Sequence, residues 1–232
     1  MDDLNIILPV FNEVDSIELV LKEWKKELDT VGISYHFVIC EDGSTDGTKE
    51  LLNKIQKKYK LVLSQKAERR GYGGAVIDGI KTANSTYILC IDSDGQCDPK
   101  DFHAFWKQKA KADILIGWRT NRADALQRKI FSGAFKQSFK FLFPTEIHDP
   151  SAPFVLFKKK KISKYIPYLK FMKEGFWWGF IGMAVKKGLS LFELPMNHRQ
   201  RLMGDTQVYH LKKIPSIAVR NQIGLLRLKF AK

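Results

Sequence analysis

The chain has no run of about 18 apolar residues, which excludes an ordinary membrane-spanning helix. Its amino terminus, MDDLNIILPVFNE, has no basic segment ahead of the apolar one and does not read as a secretory signal. Cysteine is scarce. Cys40, Cys90 and Cys97 follow no metal-ligand or disulfide spacing, so reduced thiols in a cytoplasmic protein are expected. No repeat, low-complexity tract or linker divides the sequence. Acidic residues nearly vanish from the last third: residues 155–232 hold only Glu174, Glu193 and Asp205 against 17 Lys and Arg.

What is present suffices for one large domain. The 232 residues are 44% apolar and can bury a sizeable core. Residues 1–154 balance 22 basic against 22 acidic side chains, so the whole net charge of +14 lies in the last third. That asymmetry is a cue for an anionic partner, whether nucleic acid, membrane surface or phosphate-rich substrate.

Leu4–Pro9, His36–Cys40, Leu61–Ser64, Tyr87–Ile91 and Asp113–Gly117 read as short buried strands. Between them, Ile17, Val20, Leu21, Trp24 and Leu28 recur at helical spacing, as do Leu51, Leu52 and Ile55. Strand–helix–strand alternation predicts a doubly wound, mostly parallel α/β sheet. Residues 122–143 then form a basic-aromatic helical pattern, followed by a strand at Phe154–Phe157, a helix over Trp177–Lys187 and a strand at Leu191–Leu194. The tail, Ile214–Phe230, mixes apolar and basic residues; it fits either a helix lying on a membrane or one packed on the domain.

Ligands of open parallel sheets bind beyond the carboxyl ends of the strands, so the polar residues at those ends are the candidates. Asp92 and Asp94 leave a strand on the same side, with Gln96 next in line if the chain stays extended. Three such oxygen donors suit a hard divalent cation. The loop Asp42–Thr48 resembles the start of an EF-hand, but the twelfth position is Asn53, not Glu, and a strand precedes it. As a strand-to-helix turn it leaves Asp42 able to accept hydrogen bonds from a base or ribose. Arg69-Arg70-Gly71-Tyr72-Gly73-Gly74 lacks dinucleotide spacing yet opens a helix where a phosphate can sit.

Taken in order, LPVFNEVDSI, EDGSTDGTKELL, RRGYGGAVIDGI, YILCIDSDGQCDP, ADILIGWRT and LFELPMNHRQRLMGDTQVY resemble inverting family 2 glycosyltransferases. The nearest branch is that of dolichyl-phosphate mannose synthases and related polyprenyl-phosphate glycosyltransferases. The resemblance spans roughly residues 4–210 and implies a GT-A-type sheet flanked by helices. Residues 1–120 would be the nucleotide-sugar half, 121–210 the acceptor half and 211–232 a basic amphipathic tail.

Residue roles follow from the resemblance. Pro9, Phe11, Glu13, Asp42, Arg70, Asp92, Ser93 and Asp94 would bind a GDP- or UDP-linked sugar. Asp92, Asp94 and Gln96 would hold Mg²⁺ or Mn²⁺. Arg119, Arg128, Ser132 and Arg199 would face the acceptor, and Asp94, Arg119 and Arg201 would form the catalytic set. The implied acceptor is polyprenyl phosphate, met at an anionic membrane on the cytosolic face; no nucleic acid is expected.

A lipid phosphate is already ionised and needs no base, whereas a sugar hydroxyl does. Many relatives carry an acid in the helix that reads FWWGF here, where this chain has Gly179. That departure favours an acidic acceptor; for a glycan hydroxyl, Asp149 or Glu174 would be the candidate base. Two readings compete with the main one: transfer to a glycan hydroxyl, and a nucleic-acid-binding module. No recognition motif supports the module. Phe176, Trp177, Trp178 and Phe180 fit either core packing or a lipid or sugar contact, and Lys158–Lys161 either a lipid headgroup site or a solvated run.

Overall fold

The computed structural model of the protein describes residues 2–120, 126–172, 174–201 and 214–231, with the backbone alone for 126–132, 134, 214 and 215. Strands β1 (Asp2–Val10), β2 (Tyr35–Glu41), β3 (Leu61–Gln65), β4 (Ser85–Cys90), β5 (Ile114–Arg119), β6 (Val155–Lys158) and β7 (Leu191–Met196) form one sheet. Their order is β3-β2-β1-β4-β6-β5-β7, and only β6 runs antiparallel to its neighbours. The helices are α1 (Ile17–Val31), α2 (Thr48–Ile55), α3 (Tyr72–Thr82), α4 (Phe102–Gln108), α5 (Leu126–Leu142), α6 (Lys159–Ile162), α7 (Phe176–Lys186) and α8 (Ile214–Phe230). A 3₁₀ stretch at Ser163–Phe171 separates α6 from α7.

The strands are apolar on both sides because two layers cover them. Alternation along each strand sorts the side chains: Ile7, Val38, Cys40, Ile88, Cys90, Ile114, Ile116, Val155 and Phe157 face one cluster. Their neighbours Ile6, Phe37, Ile39, Leu89, Leu115, Phe154 and Leu156 face the other. The first cluster also takes α3, α7 and α8 through Val76, Phe180 and Leu225. The second takes α1, α2 and α4 through Trp24, Leu52 and Phe105. This is the doubly wound, mostly parallel α/β arrangement read from the sequence.

Two points bear on the sequence reading. Strand β5 does not stop at Gly117; pairing with β7 continues to Arg119, which is therefore the last residue of a strand and not the start of a loop. Of the two readings left open for the aromatic run of α7, core packing and a lipid or sugar contact, the structure takes core packing, with Phe176, Trp177 and Phe180 buried. No helix among the described residues is long and apolar enough to cross a membrane.

The winding reverses between β1 and β4. From β1 the chain adds β2 and β3 on one side, then crosses to place β4 on the other. The crevice at such a reversal is where α/β sheets take ligands. Glu13 follows β1 and Asp92 follows β4, so the fold itself brings these two predicted residues to one place.

Candidate active site

The loops after β1 and β2 lock together. Asn12 adopts a left-handed backbone (φ 53°), which Asn tolerates better than most residues. Its side-chain oxygen accepts from the Thr45 N–H (2.9 Å), while its own N–H donates to Ser44 Oγ (2.9 Å). The Glu13 N–H donates to Thr48 Oγ1 (2.9 Å). Gly43 turns this loop at φ 80°, its Cα facing the Ala67 carbonyl and Arg69 N–H, where an added Cβ would sit at 3.5 Å. Pro9 lies within β1, and Phe11 beyond it carries the Arg69 guanidinium at 3.7 Å from its ring centre.

Asp42 is buried and accepts the N–H groups of Arg70 and Gly71, both at 2.8 Å. It thus fastens the turn that opens α3. Arg70 is held in the same place by Asp42 and by Asp78. This fixes the RRGYGG turn against the tip of β2.

Asp92, Ser93 and Asp94 leave β4 into the crevice. Asp92 Oδ1 accepts from the Tyr72 hydroxyl (2.7 Å), which in turn accepts from the Trp177 indole N–H (2.8 Å). Asp94 accepts the Gln96 N–H (3.0 Å) and an Arg201 N–H (3.2 Å); Arg201 also reaches Glu13 at 3.5 Å. Desolvation and then the charge of Asp94 push the Asp92 carboxyl well up from the carboxylate range, although Tyr72, Arg119 and Arg201 act the other way. Desolvation likewise raises Glu13.

The residues fit a divalent cation. The Asp92 carboxyl is desolvated and stands beside Asp94, so a cation there would favour its ionised form, and both carboxylates offer hard oxygen donors. Ser93 is buried between them. The Gln96 amide nitrogen donates to the Arg199 carbonyl (3.3 Å), which leaves oxygen as its metal-type donor.

The stretch 197–201 straps onto this turn. Asn197 binds Asp101, His198 bridges Cys97 through backbone, and the Arg199 N–H donates to the Gln96 carbonyl (2.9 Å). The Arg199 guanidinium, expected on the acceptor side, is turned to Glu23 (2.7 Å) and the Gly95 carbonyl (3.1 Å). It ties α1 to the D-x-D turn.

Across the crevice, Arg119 is bidentate to Asp149 (2.7 and 2.9 Å) and donates to Ser151 Oγ (2.8 Å). Both partners are buried. Glu193 accepts the N–H groups of His148 and Asp149 at 2.9 and 2.8 Å, and the His148 ring stacks on Trp118. The HDPS segment is therefore a rigid seat for Arg119. Glu174 lies just ahead of α7, paired with Arg220 at 2.8 Å. The side chains of Arg128 and Ser132, and Asp205 entirely, lie outside the described residues.

Three participants escaped the sequence reading: Tyr72 behind Asp92, Ser151 beside Arg119, and Glu23 beneath Arg199; Trp177, read there as core or as a lipid or sugar contact, stands behind Tyr72. Tyr72 sits in the quoted Gly-rich turn and was legible as a polar group at a helix start. The others carry no local signal.

Comparison with known proteins identifies the family and the fold. The profile of Glycosyl transferase family 2 matches residues 5–166. A dodecaprenyl-phosphate galacturonate synthase of Rhizobium johnstonii is 30% identical over 152 residues, 63% of this chain and 45% of that one. A dolichyl-phosphate beta-glucosyltransferase of Dictyostelium discoideum is 27% identical over 217 residues, 84% of this chain and 65% of that one. The chain thus spans between about half and two thirds of these relatives' own lengths. Among solved structures, glucosyl-3-phosphoglycerate synthase of Mycobacterium tuberculosis, held with Mn²⁺, UDP-glucose and phosphoglyceric acid, shares the fold at 13% identity. Its TM-score is 0.68, over 98% of this chain and 80% of that one, which makes the sheet a GT-A fold. With its switch-point crevice, its D-x-D turn and a profile match over most of its length, the chain belongs to glycosyl transferase family 2.

Proposed function

We propose that the protein transfers a glycosyl group, with inversion, from a GDP- or UDP-linked sugar to a polyprenyl phosphate at a membrane surface. One observation carries the choice of acceptor. Both carboxylates that could serve as a base for a hydroxyl, Asp149 and Glu174, are paired with arginines. An acceptor that arrives ionised needs neither. The names of the two relatives given above, both polyprenyl-phosphate glycosyl enzymes, support the same reading, whereas that of a third, a poly-beta-1,6-N-acetyl-D-glucosamine synthase of Staphylococcus aureus, points to the glycan acceptor.

In this reading Asp92 and Asp94, with Gln96, hold Mg²⁺ or Mn²⁺. When bound, that cation neutralises the leaving diphosphate. The chain's own residues do the rest. The Asp42-fastened turn and Phe11 shape the nucleotide side. Arg201, whose contacts to Asp94 and Glu13 are long at 3.2 and 3.5 Å, can exchange them for donor phosphate oxygens. Arg119, fixed by Asp149 and Ser151, presents a permanent positive charge at the end of β5 to the acceptor phosphate. Positioning and charge account for catalysis; no proton needs to be taken.

The test is transfer of labelled sugar from GDP- and UDP-sugars with Mn²⁺ into either polyprenyl phosphate or a glycan. Organic-extractable product, lost in Asp94→Ala and Arg119→Ala, is expected. Label appearing in the glycan alone would reject the phosphate acceptor.

A further inference from the structure

Helix α8 is apolar on two opposite faces. Its inner stripe is Ile217, Leu225 and Leu228, interrupted by Asn221, which accepts the Gly175 N–H; each is at most 8% exposed. They pack the helix onto α7 and the 3₁₀ stretch: Leu228 lies against Gly182, and Gly224 approaches the Phe171 carbonyl. A second stripe, Val219, Ile223, Leu226 and Phe230, is 59%, 45%, 39% and 78% exposed. Its spacing of four, three and four residues is that of one helical face. At about 100° per residue it is centred roughly 180° from the buried stripe. Phe141 on the neighbouring α5 adds a ring that is 87% exposed. Folding the domain requires the inner stripe only; the outer one gains nothing from it.

The flanks of the outer stripe are basic. Arg220 and Arg227 border it on one side and Lys229 on the other, and no acidic residue follows Asp205 in the chain. Arg220 is already paired with Glu174 and Lys229 Nζ stands 5.6 Å from the Phe143 ring centre, a contact that a lipid phosphate would replace, so Arg227 and Lys229 are the flanking cations that can act at the stripe. An apolar stripe between cations matches the boundary of an anionic bilayer, with acyl chains inside and phosphates at the rim. A second copy of the chain fits less well, because a two-fold contact through this face would set cations against cations.

The geometry points to the outer face of α8, with Phe141, as a docking surface for an anionic lipid bilayer. The helix lies in the plane of the interface, Val219, Ile223, Leu226 and Phe230 enter the acyl boundary, and Arg227 and Lys229 meet lipid phosphates. This deepens the proposed reading by naming the surface that would bring the crevice to a lipid acceptor, and its purpose rests on that reading. Its chemistry does not.

The full chain is floated with phosphatidylcholine vesicles, alone or with about one quarter phosphatidylglycerol, and with no polyprenyl phosphate present. Binding is expected to the anionic vesicles. It should fall about tenfold or more in the Val219→Ser/Ile223→Ser/Leu226→Ser/Phe230→Ser variant, and severalfold in Arg227→Glu/Lys229→Glu. Circular dichroism and the thermal shift given by nucleoside diphosphate should be unchanged in both. If the fourfold variant unfolds, Phe230→Ser alone is expected to lower binding. Three results would overturn the proposal: no binding of the wild type, equal binding of the folded variants, or a wild-type dimer that the stripe variant dissociates. Vesicle binding that fails while detergent-dispersed polyprenyl phosphate is still glycosylated would reject the docking face and leave the transferase reading standing.

Discussion

At the residue scale, the charge of Asp92 is set first by desolvation and by the neighbouring Asp94, and hydrogen bonding works against both. Tyr72 is the clearest case, because its hydroxyl is oriented by Trp177 and delivered to Asp92. A bond to a charged group contributes about 1.5–3 kcal/mol. Tyr72→Phe keeps the ring and removes the bond, so kcat/KM should fall about tenfold or more with the fold intact. The pH dependence gives the sign. The Asp92 carboxyl stands at about 7, and a proton there competes with a cation. In the cation-free protein its contribution to stability is present in acid and is lost as pH rises through about 7. Cation affinity should therefore climb across the same range. The Tyr72 bond lowers the Asp92 value, so Tyr72→Phe should move that climb to higher pH. Mn²⁺ titration by calorimetry at several pH values checks both; an unmoved profile would show that Tyr72 is only packing. Asp149→Asn leaves Arg119 buried without its counter-charge and should cost about 3–5 kcal/mol of stability in urea unfolding, with a raised acceptor KM. Were Asp149 a base, stability would hold and the acid limb of the rate profile would vanish.

At the element scale, α7 has no room at Gly179 for the acid that the family resemblance leads one to expect there. A Cβ on Gly179 would meet Met172 Cγ at 2.2 Å and Cβ at 2.9 Å, atoms close to the backbone that cannot swing aside. Gly179→Ala should therefore destabilise by about 1–3 kcal/mol, lowering Tm by about 2–4 °C for each kcal/mol, and calorimetry would show it. A carboxylate restored there would strain the packing against Met172. This is also where sequence and structure part. The strands were readable because alternation and two-sided burial both mark them, and the D-x-D turn because it follows one of them. Strand ends were less so: β7 extends β5 through Arg119, a partner 70 and more residues away. The Trp177–Tyr72 bond joins positions 105 apart, and Asp149 reads as a free acid until Arg119 is seen against it. Pairings of that kind leave no periodicity. The tail read two ways, and α8 shows why: its inner face packs and its outer face does not.

At the scale of the whole molecule, the division of charge separates two modes of capture. The neutral first two thirds hold the D-x-D turn and the loops after β1 and β2, where the proposed donor site would recognise its ligand by short hydrogen bonds inside a crevice. Contacts of that length lie well within a Debye length and are partly shielded from solvent, so salt weakens them little. In the proposed reading the basic last third, with Arg227 and Lys229 exposed on α8, acts at longer range on an anionic surface. Raising NaCl from 0.1 to 1 M shortens the Debye length from about 10 to about 3 Å, which removes most of that attraction. The apparent KM for polyprenyl phosphate in anionic vesicles should then rise severalfold, while the KM for the nucleotide sugar moves by less than about twofold. Initial rates at crossed substrate concentrations in both salts measure the two together. Equal sensitivity would mean that the charge asymmetry serves the donor as much as the lipid. Sensitivity of the donor alone would place the working cations at the crevice, on Arg119 and Arg201, and remove the last third from substrate capture.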